Sequence, residues 1–334
     1  SLYRIGAGNE RLGIPPLLFM DGPRGIGKGA STCFPVPMAR GASFDVELER
    51  RIGDAIGREL RAHGGNLFGG VCINLLRHPA WGRAQETYGE DPFLLGEMGS
   101  ALVRGVQHHN VIATPKHFAC NSMENARFTV DVRVDERALR EVYLPHFERC
   151  IRAGAGAVMS AYNKLEGAYC GHNHTLLTRM LKDDWGFEGF VYSDFVMGCR
   201  GADACAAGLD VEAPDTVYYG DQLVAAVETN EVSLERIDDA VARVLRSLFR
   251  TLERNDPECY DETMIARDSH VALAREAAEK SIVLLKNRDD ALPWQADALR
   301  SVLVLGALAD TENLGDHGSS RVYPPEVITP LAGL

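Results

Sequence analysis

The chain has 334 residues, of which 46% are hydrophobic and 25% are charged, as is ordinary for a globular protein with one large domain and a smaller one. Its 35 Lys and Arg against 47 Asp and Glu give a net charge of −12, which argues against a nucleic-acid partner because phosphate would be repelled. No apolar run reaches the roughly 18 residues that a membrane helix needs, so we expect no membrane partner either.

The eight cysteines are scattered along the chain without a C-x-x-C pair, which argues against a zinc or redox motif. Cys72 and Cys150 lie in apolar stretches and are expected to be small buried side chains. This usage favours a reducing, cytoplasmic location, while the start at Ser1 leaves export open. We predict no metal and no other cofactor, because no cluster of metal-binding residues appears.

Short apolar runs alternate with amphipathic patterns, which is typical of a parallel α/β architecture. Runs with few charges predict buried strands over residues 16–20, 71–76, 111–114, 157–161, 189–192 and 208–212. Apolar stripes predict helices over residues 45–63, 135–153 and 233–254. In the second helix Asp135 is the expected N-cap and Pro145 the expected kink, and Ser233 is the expected N-cap of the third. A helix over 266–285 and a strand over 301–306 predict the opening of a further α/β unit.

Nearly every predicted strand ends in an unusual polar side chain. In a parallel barrel the C-terminal strand ends converge on one face, so we expect a shared pocket there. A strand-end cap or a surface ion pair would explain any one of these residues, but five such ends together favour the pocket. The residues are Asp21, Lys116 with His117, Tyr162, Asp194 and Glu212.

Asp194 is the sharpest of these candidates, because a carboxylate directly after a buried strand would be partly desolvated yet open to the barrel mouth. It could serve as nucleophile, general base or metal ligand. Lys116, His117 and Arg127 would donate hydrogen bonds to a polyhydroxylated or anionic substrate. Asp21 can accept from two hydroxyls at once, which favours a sugar over a phosphate.

Eight motifs, taken together and in order, resemble glycoside hydrolase family 3, specifically its β-glucosidase branch. The similarity covers essentially the whole chain. The motifs are Asp21-Gly22-Pro23, Trp81-Gly82-Arg83, Tyr88-Gly89-Glu90-Asp91-Pro92, Lys116-His117-Phe118, Met159-Ser160-Ala161-Tyr162-Asn163, Ser193-Asp194-Phe195, Val283-Leu284-Leu285-Lys286-Asn287 and Gly318-Ser319-Ser320-Arg321.

The resemblance implies a TIM-like (β/α) barrel followed by an α/β sandwich domain, with the site between them. The barrel would occupy residues 1–255, with an incomplete N-terminus. A linker and connecting helix would occupy residues 256–298, and the truncated start of the sandwich domain would occupy residues 299–334. An unpaired sheet edge in that last segment would favour a homodimer.

The activity that the resemblance implies is that of a retaining, exo-acting β-glycosidase, best matched by a β-glucosidase acting on small-molecule or oligosaccharide β-glycosides. Asp194 matches the family's nucleophile, and its glutamate acid/base lies beyond this chain. The implied substrate-binding residues are Asp21, Arg83, Lys116, His117, Arg127, Met159, Tyr162, Phe195, Ser319 and Ser320.

Two other interpretations stay open at this stage. The chain could be a sugar-binding or partner-dependent fragment that lacks its acid/base, or a Schiff-base lyase that uses Lys116. The family's N-acetylglucosaminidase branch is disfavoured, because residues 118–125 lack the histidine that this branch carries after its Lys-His motif. Many members of the family carry a further sugar-binding arginine soon after Asp-Gly-Pro. Its nearest counterparts in this chain are Arg24 and Lys28.

Overall fold

Strands and helices alternate along the computed structural model, which describes residues 2–315 and 317–334. Its strands are β1 (Leu2–Gly6), β2 (Leu17–Met20), β3 (Leu67–Cys72), β4 (Ile112–Lys116), β5 (Asp131–Val132), β6 (Ala157–Met159), β7 (Lys164–Leu165), β8 (Ala168–Tyr169) and β9 (Phe190–Tyr192). The α-helices are α1 (Pro37–Ala42), α2 (Val46–Ala62), α3 (Pro92–Gln107), α4 (Glu136–Ala138), α5 (Pro145–Arg152), α6 (Asp203–Ala207), α7 (Asp221–Glu228), α8 (Leu234–Leu252), α9 (Asp268–Ser281) and α10 (Pro330–Gly333). Two π-helical segments cover Leu139–Tyr143 and Thr175–Asp184.

The strand order is that of a TIM-like barrel, as the resemblance implies. Strand β1 pairs antiparallel with β2, and β2, β3 and β4 are parallel neighbours. Strands β6 and β9 are also parallel, and single parallel bridges join Phe118 to Ser160 and Tyr192 to Val211. The minor sheet of β5, β7 and β8 lies apart from this order.

Two apolar clusters surround the strands. The inner one collects side chains that successive strands point into the barrel: Ile5, Leu17, Phe19, Leu67, Ile112, Ala157, Met159, Phe190 and Tyr192. The outer one packs helices such as α2 and α3 against the other strand faces.

The helices that cover the barrel are capped as their sequences require. Asp45 accepts from Leu48 N at 2.9 Å at the start of α2, and Ser233 accepts from Arg236 N at 3.2 Å before α8.

The predicted helix over residues 135–153 is divided, and its cap and kink are confirmed. Asp135 accepts from Ala138 N at 2.9 Å, a π segment follows, and Pro145 begins α5. Proline has no N–H to donate and clashes with the preceding turn, so a new helix begins at this residue.

The strand predicted over 71–76 lies instead at Leu67–Cys72, because Gly69 and Gly70 belong to the strand rather than to a loop. A Cβ on Gly69 would lie 2.1 Å from the Phe19 ring, so the glycine permits the close approach of β2. The strand predicted over 208–212 is reduced to the bridge at Val211. Here the Asp210 carboxylate accepts from Val191 N at 2.7 Å and so replaces part of the main-chain ladder.

Two predictions for the C-terminal part differ from the structure. The helix over 266–285 is shorter, at Asp268–Ser281, and ends before the β-branched pair Ile282 and Val283. The strand predicted over 301–306 does not form, since no neighbouring strand among the described residues offers it a partner.

All eight cysteines are free, and Cys72 and Cys150 are buried as expected. No helix in the described part of the chain is both long and apolar enough to span a bilayer.

Candidate active site

A cavity of about 620 Å³ opens where β2, β4, β6 and β9 end. Ten of the eleven residues expected to be the nucleophile or to bind substrate line it: Asp21, Arg83, Lys116, His117, Arg127, Met159, Tyr162, Asp194, Phe195 and Ser319. The expectation that polar residues at strand ends share one pocket is therefore confirmed for four of the five ends. This is the behaviour of a barrel whose C-terminal face carries its chemistry.

Asp194 lies two residues beyond β9 and is 6% exposed. Its Oδ1 accepts from Phe195 N at 2.8 Å, whereas Oδ2 is buried without a hydrogen-bond partner among the described residues. Burial raises the pKa of the Asp194 carboxyl, and the charges of Arg83 and Lys116 oppose that shift. This oxygen therefore lies buried in the cavity wall, with no hydrogen bond to the described residues.

His117 is a neutral acceptor rather than a cation. Arg83 Nη1 lies 3.0 Å from His117 Nε2, and an arginine can only donate, so Nε2 carries the lone pair. The ring proton is therefore on Nδ1, which lies 3.0 Å from Asn74 Oδ1. Burial, with the nearby charges of Arg83 and Lys116, places the pKa of His117 well below its ordinary value.

This tautomer means that His117 does not help to keep Asp194 ionised. His117 Nε2 approaches Asp194 Oδ2 to 3.6 Å but has no proton to donate to it. The groups that favour the Asp194 carboxylate are instead Arg83, Lys116, the Phe195 N–H and the nearby Tyr162 hydroxyl.

Three ion pairs line the cavity and leave one carboxylate without a cation of its own. Lys116 Nζ donates to Asp21 Oδ1 at 2.7 Å, and Arg83 Nη2 donates to Glu86 Oε2 at 2.6 Å. The third pair joins Arg127 Nη1 to Glu124 Oε2 at 2.9 Å. Among the acidic residues described around the cavity, Asp194 is the one left outside these pairs.

Lys116 and Arg127 are fixed by more than their ion pairs. Burial lowers the pKa of Lys116, but Asp21 together with Cys72 and Glu86 outweighs this and raises the pKa overall, so the ammonium stays protonated. The Arg127 guanidinium lies 4.9 Å from the ring centroids of both Phe128 and Tyr162. The Tyr162 hydroxyl donates to the Phe195 carbonyl at 2.8 Å, which ties this stack to the loop after β9.

Several expected residues lie outside the cavity. Ser320 is fully buried, and its hydroxyl accepts from Gln85 Nε2 at 3.0 Å. Glu212 caps a loop by accepting from the backbone N–H groups of residues 217, 218 and 219 at 2.8 to 3.0 Å. Arg24 donates to Ser320 O, and Lys28 donates to the His63 carbonyl, so neither is turned towards a sugar.

Sequence reasoning missed two buried or half-buried carboxylates, Glu86 and Glu124. Each stands three residues from the arginine it pairs with, and this i,i+3 spacing was the available signal. It also missed Tyr3, His317, Arg321 and Tyr323, which reach the cavity from both ends of the chain. No group of three or more His, Cys, Asp or Glu side chains suited to a metal occurs within residues 2–315 and 317–334.

Residues 2–247 match the family model described as the glycosyl hydrolase family 3 N terminal domain. The chain belongs to glycosyl hydrolase family 3. It is 39% identical over 331 residues to thermostable beta-glucosidase B of Acetivibrio thermocellus, which covers 94% of this chain and 43% of that protein. It is 38% identical to a beta-glucosidase of Rhizobium radiobacter, covering 97% of this chain and 41% of that one.

Solved structures of family 3 enzymes share the fold. Beta-glucosidase 3B from Thermotoga neapolitana in complex with glucose superposes with a TM-score of 0.89 at 33% identity, over 98% of this chain and 48% of that one. The beta-glucosidase from Kluyveromyces marxianus superposes with a TM-score of 0.92 at 31% identity, over 99% of this chain and 42% of that one. The chain therefore spans about two fifths of the length of the curated relatives it matches.

Proposed function

We propose that this chain carries the nucleophile and the sugar-binding side chains of a retaining, exo-acting β-glucosidase that removes terminal non-reducing β-D-glucosyl residues. One observation carries the proposal: the buried Asp194 Oδ2 has no hydrogen-bond partner among the described residues and lies on a cavity crowded with sugar-type ligands. A carboxylate in hydrogen bonds to several donors would be a poor nucleophile, whereas this oxygen is left available. The named activity of the relatives supports the same conclusion.

In the first step Asp194 Oδ2 forms a bond to the anomeric carbon while the bond from that carbon to the aglycone oxygen breaks. In the second step water attacks the same carbon and gives a proton to the group that protonated the aglycone, while the bond to Asp194 breaks and the aspartate leaves as a carboxylate. Arg83 and Lys116 supply fixed donors for the sugar hydroxyls, and Asp21 accepts from others, while His117 holds Arg83 in place through its Nε2 lone pair. Because these groups are buried and bonded to one another, they need little reorganisation when the sugar binds.

The departing oxygen must also receive a proton from an acid with a raised pKa. Burial alone would raise the pKa of Glu86, but the charge and hydrogen bond of Arg83 lower it overall. Asp21 and Glu124 are likewise bonded to cations. None of these described carboxylates is suited to be the acid, so we assign that role to none of them.

Replacement of Asp194 tests the proposal. Asp194→Ala in the full-length protein should abolish hydrolysis of 2,4-dinitrophenyl β-D-glucoside, whose leaving group needs no protonation. The control is Asp203→Ala, because Asp203 pairs with His172 and its side chain is 77% exposed. A fluorinated mechanism-based inactivator should label the peptide that contains Asp194. Normal turnover by the Ala variant, or a label on another residue, contradicts the assignment.

The structure gives less support to the Lys116 lyase. A Schiff-base lysine must lose its proton, and Asp21 at 2.7 Å keeps the Lys116 ammonium charged. Borohydride trapping with a keto substrate should therefore leave Lys116 unmodified.

The binding-fragment alternative predicts calorimetric binding of glucose with no hydrolysis of any glycoside. The homodimer, the cytoplasmic location and the domain divisions near residues 255 and 298 stay predictions.

A further inference from the structure

The cavity has two chemically different halves. Its inner half is formed by polar groups that are almost fully buried, such as Lys116 and Asp194 at 1% and 6% exposure. Its outer half carries Tyr3, Phe195, Tyr323 and Arg321, and the two tyrosines are 38% and 45% exposed. An exo-acting glycosidase holds the terminal sugar at the closed end, so the aglycone lies along the outer half.

Aromatic rings form much of this outer half. The Tyr3 ring packs edge-on against Phe195 with their centroids 5.0 Å apart, and Phe195 packs on Phe19 at 4.9 Å. These contacts hold Phe195 in place while part of its surface stays open to the cavity. Flat, rigid rings favour a flat apolar ligand over a flexible polar one.

Arg321 and Tyr323 are placed in advance by backbone contacts. Tyr323 forms a parallel bridge with Ala30, and its carbonyl accepts from Ser31 N at 3.1 Å. Val322 between them is 2% exposed and packs away from the cavity. In an extended segment alternate side chains share a side, so Arg321 and Tyr323 both reach the cavity. The Arg321 guanidinium lies 4.7 Å from the Tyr323 ring centroid.

Arg321 also differs from the other cavity arginines in charge balance. Arg83 and Arg127 each bond a carboxylate of their own. Within residues 2–315 and 317–334, no carboxylate lies within ion-pair distance of Arg321. Among the described residues, Arg321 is therefore a cation without an ion pair beside an aromatic wall, in a chain whose net charge is −12.

We propose that the outer half of the cavity is an aglycone subsite for a flat aromatic group that bears a carboxylate. Tyr323, Tyr3 and Phe195 contact the ring, and the Arg321 guanidinium binds the carboxylate. A planar guanidinium suits this ligand because it can donate two parallel hydrogen bonds to a carboxylate. The inference rests on the proposed function, since it concerns the leaving half of the same β-glucoside substrate.

The test compares 4-carboxyphenyl β-D-glucoside with its methyl ester in the full-length protein. Arg321→Gln should raise the KM of the carboxylate substrate about three- to fivefold, the effect of one partly exposed ion pair, and should leave the ester unchanged. Comparing each variant with the unaltered protein cancels the different reactivities of the two leaving groups. Arg321→Lys should keep part of the preference, and added salt should reduce it.

Arg149→Gln is the matched control, because Arg149 also lies 4.7 Å above a ring, that of Phe93, but on helix α5 outside the cavity. Tyr323→Leu should raise the KM of both aryl glucosides while inhibition by glucose stays unchanged. An Arg321→Gln variant that keeps the full preference for the carboxylate overturns the subsite. If the unaltered protein hydrolyses neither glucoside, the proposed function fails. Calorimetric binding of the same pair then decides the subsite, and equal affinities overturn it.

Discussion

Glu86 joins parts of the site that are far apart in the chain. Its Oε1 accepts from Arg83 Nε at 3.2 Å and from the Ser319 hydroxyl at 3.3 Å. Its Oε2 accepts from Arg83 Nη2 at 2.6 Å and from the Cys72 thiol at 3.3 Å. A two-point bond of this kind fixes the plane of the guanidinium, and Arg83 in turn fixes the lone pair of His117. Glu86 is therefore a positioning residue for Arg83 and, through Arg83, for His117.

Replacing Glu86 tests this role. Glu86→Gln keeps the shape of the side chain but removes the charge that orients Arg83. We expect kcat/KM for an aryl β-glucoside to fall about 10²-fold, the usual result of a small displacement in a reacting geometry. Glu90→Gln is the control, because Glu90 is exposed in the same segment. A Glu86→Gln variant within threefold of the unaltered protein would show that Arg83 is held without it.

The pH dependence of activity follows from Asp194. The nucleophile must be ionised, and burial raises the pKa of this carboxyl in the free protein. Activity should therefore fall, as pH decreases, at a higher pH than an ordinary aspartate of pKa about 3.9 would give. The measurement is kcat/KM for the dinitrophenyl glucoside against pH, because this substrate needs no acid catalyst. An acidic limb at or below the ordinary value contradicts the effect of burial.

For single residues, the sequence predicted where a side chain lies better than it predicted the protonation state or the partners of that side chain. Asp21, Lys116 and Asp194 could be assigned to one pocket because strand ends converge in a barrel. That His117 is a neutral acceptor could not be predicted, since its tautomer depends on Arg83 and Asn74 from other loops. That Arg321 forms no ion pair among the described residues could not be predicted either, because ion pairing depends on distances between remote segments.

The elements around the site are held together by a fully buried ion pair between α1 and α2. Arg40 Nε and Nη2 donate to the two oxygens of Glu49 at 2.8 and 2.9 Å, and both side chains are 0% exposed. Tyr88 OH donates to Glu49 at 2.6 Å. Arg40 also donates to the Pro23 carbonyl at 2.9 Å, in the loop that carries Asp21. The pair thus anchors a site loop to the helical layer.

Removing one partner of this buried ion pair should lower the free energy of unfolding. Glu49→Ala leaves the Arg40 charge buried without a carboxylate, and we expect the free energy of unfolding to fall by about 3–5 kcal/mol. Glu47→Ala, two residues earlier in α2, breaks an exposed pair with Arg50 and should change little. Chemical denaturation of both variants measures the difference. Equal losses would mean that burial does not set the contribution of the pair.

Element boundaries were predictable where local signals decide them and unpredictable where distant contacts do. Asp135, Pro145 and Ser233 act through their own backbone, and each behaves as expected. The position of β3 depends on Gly69 beneath the Phe19 ring, which is a contact between strands. The segment around Asp210 fails to extend because its carboxylate also bonds Lys182 at 2.8 Å and Val191 N.

At the scale of the whole molecule, the segment of residues 318–323 completes a cavity wall that the barrel strands alone leave open. It is bound to the barrel at several points: Arg24 to the Ser320 and Leu314 carbonyls, Gln85 to the Ser320 hydroxyl, and Ser31 N to the Tyr323 carbonyl. Gln85 and Arg24 lie in loops that also carry Arg83 and Asp21. The same two loops therefore bind the sugar side of the cavity and hold this segment against it.

Arg24 is the strongest of these attachments, because it is 5% exposed and donates to the Ser320 carbonyl in the segment and to the Leu314 carbonyl that precedes it. Arg24→Met keeps the buried apolar stem but removes the donors, a loss of about 1.5–3 kcal/mol for a hydrogen bond from a charged group. If that free energy holds the segment closed, local opening should become about 10- to 100-fold more frequent. Hydrogen exchange of amides 318–323 should accelerate accordingly, while exchange in α2 stays unchanged.

Arg11→Met provides the comparison, since Arg11 is an exposed arginine that lies in the short helical turn Glu10–Leu12. The aryl-glucoside KM should rise in Arg24→Met, because Ser319, Arg321 and Tyr323 lose their fixed positions together. Faster exchange throughout the barrel would instead make Arg24 a general stabiliser. Unchanged exchange at 318–323 would show that the bridge between Ala30 and Tyr323 suffices to hold the cavity wall.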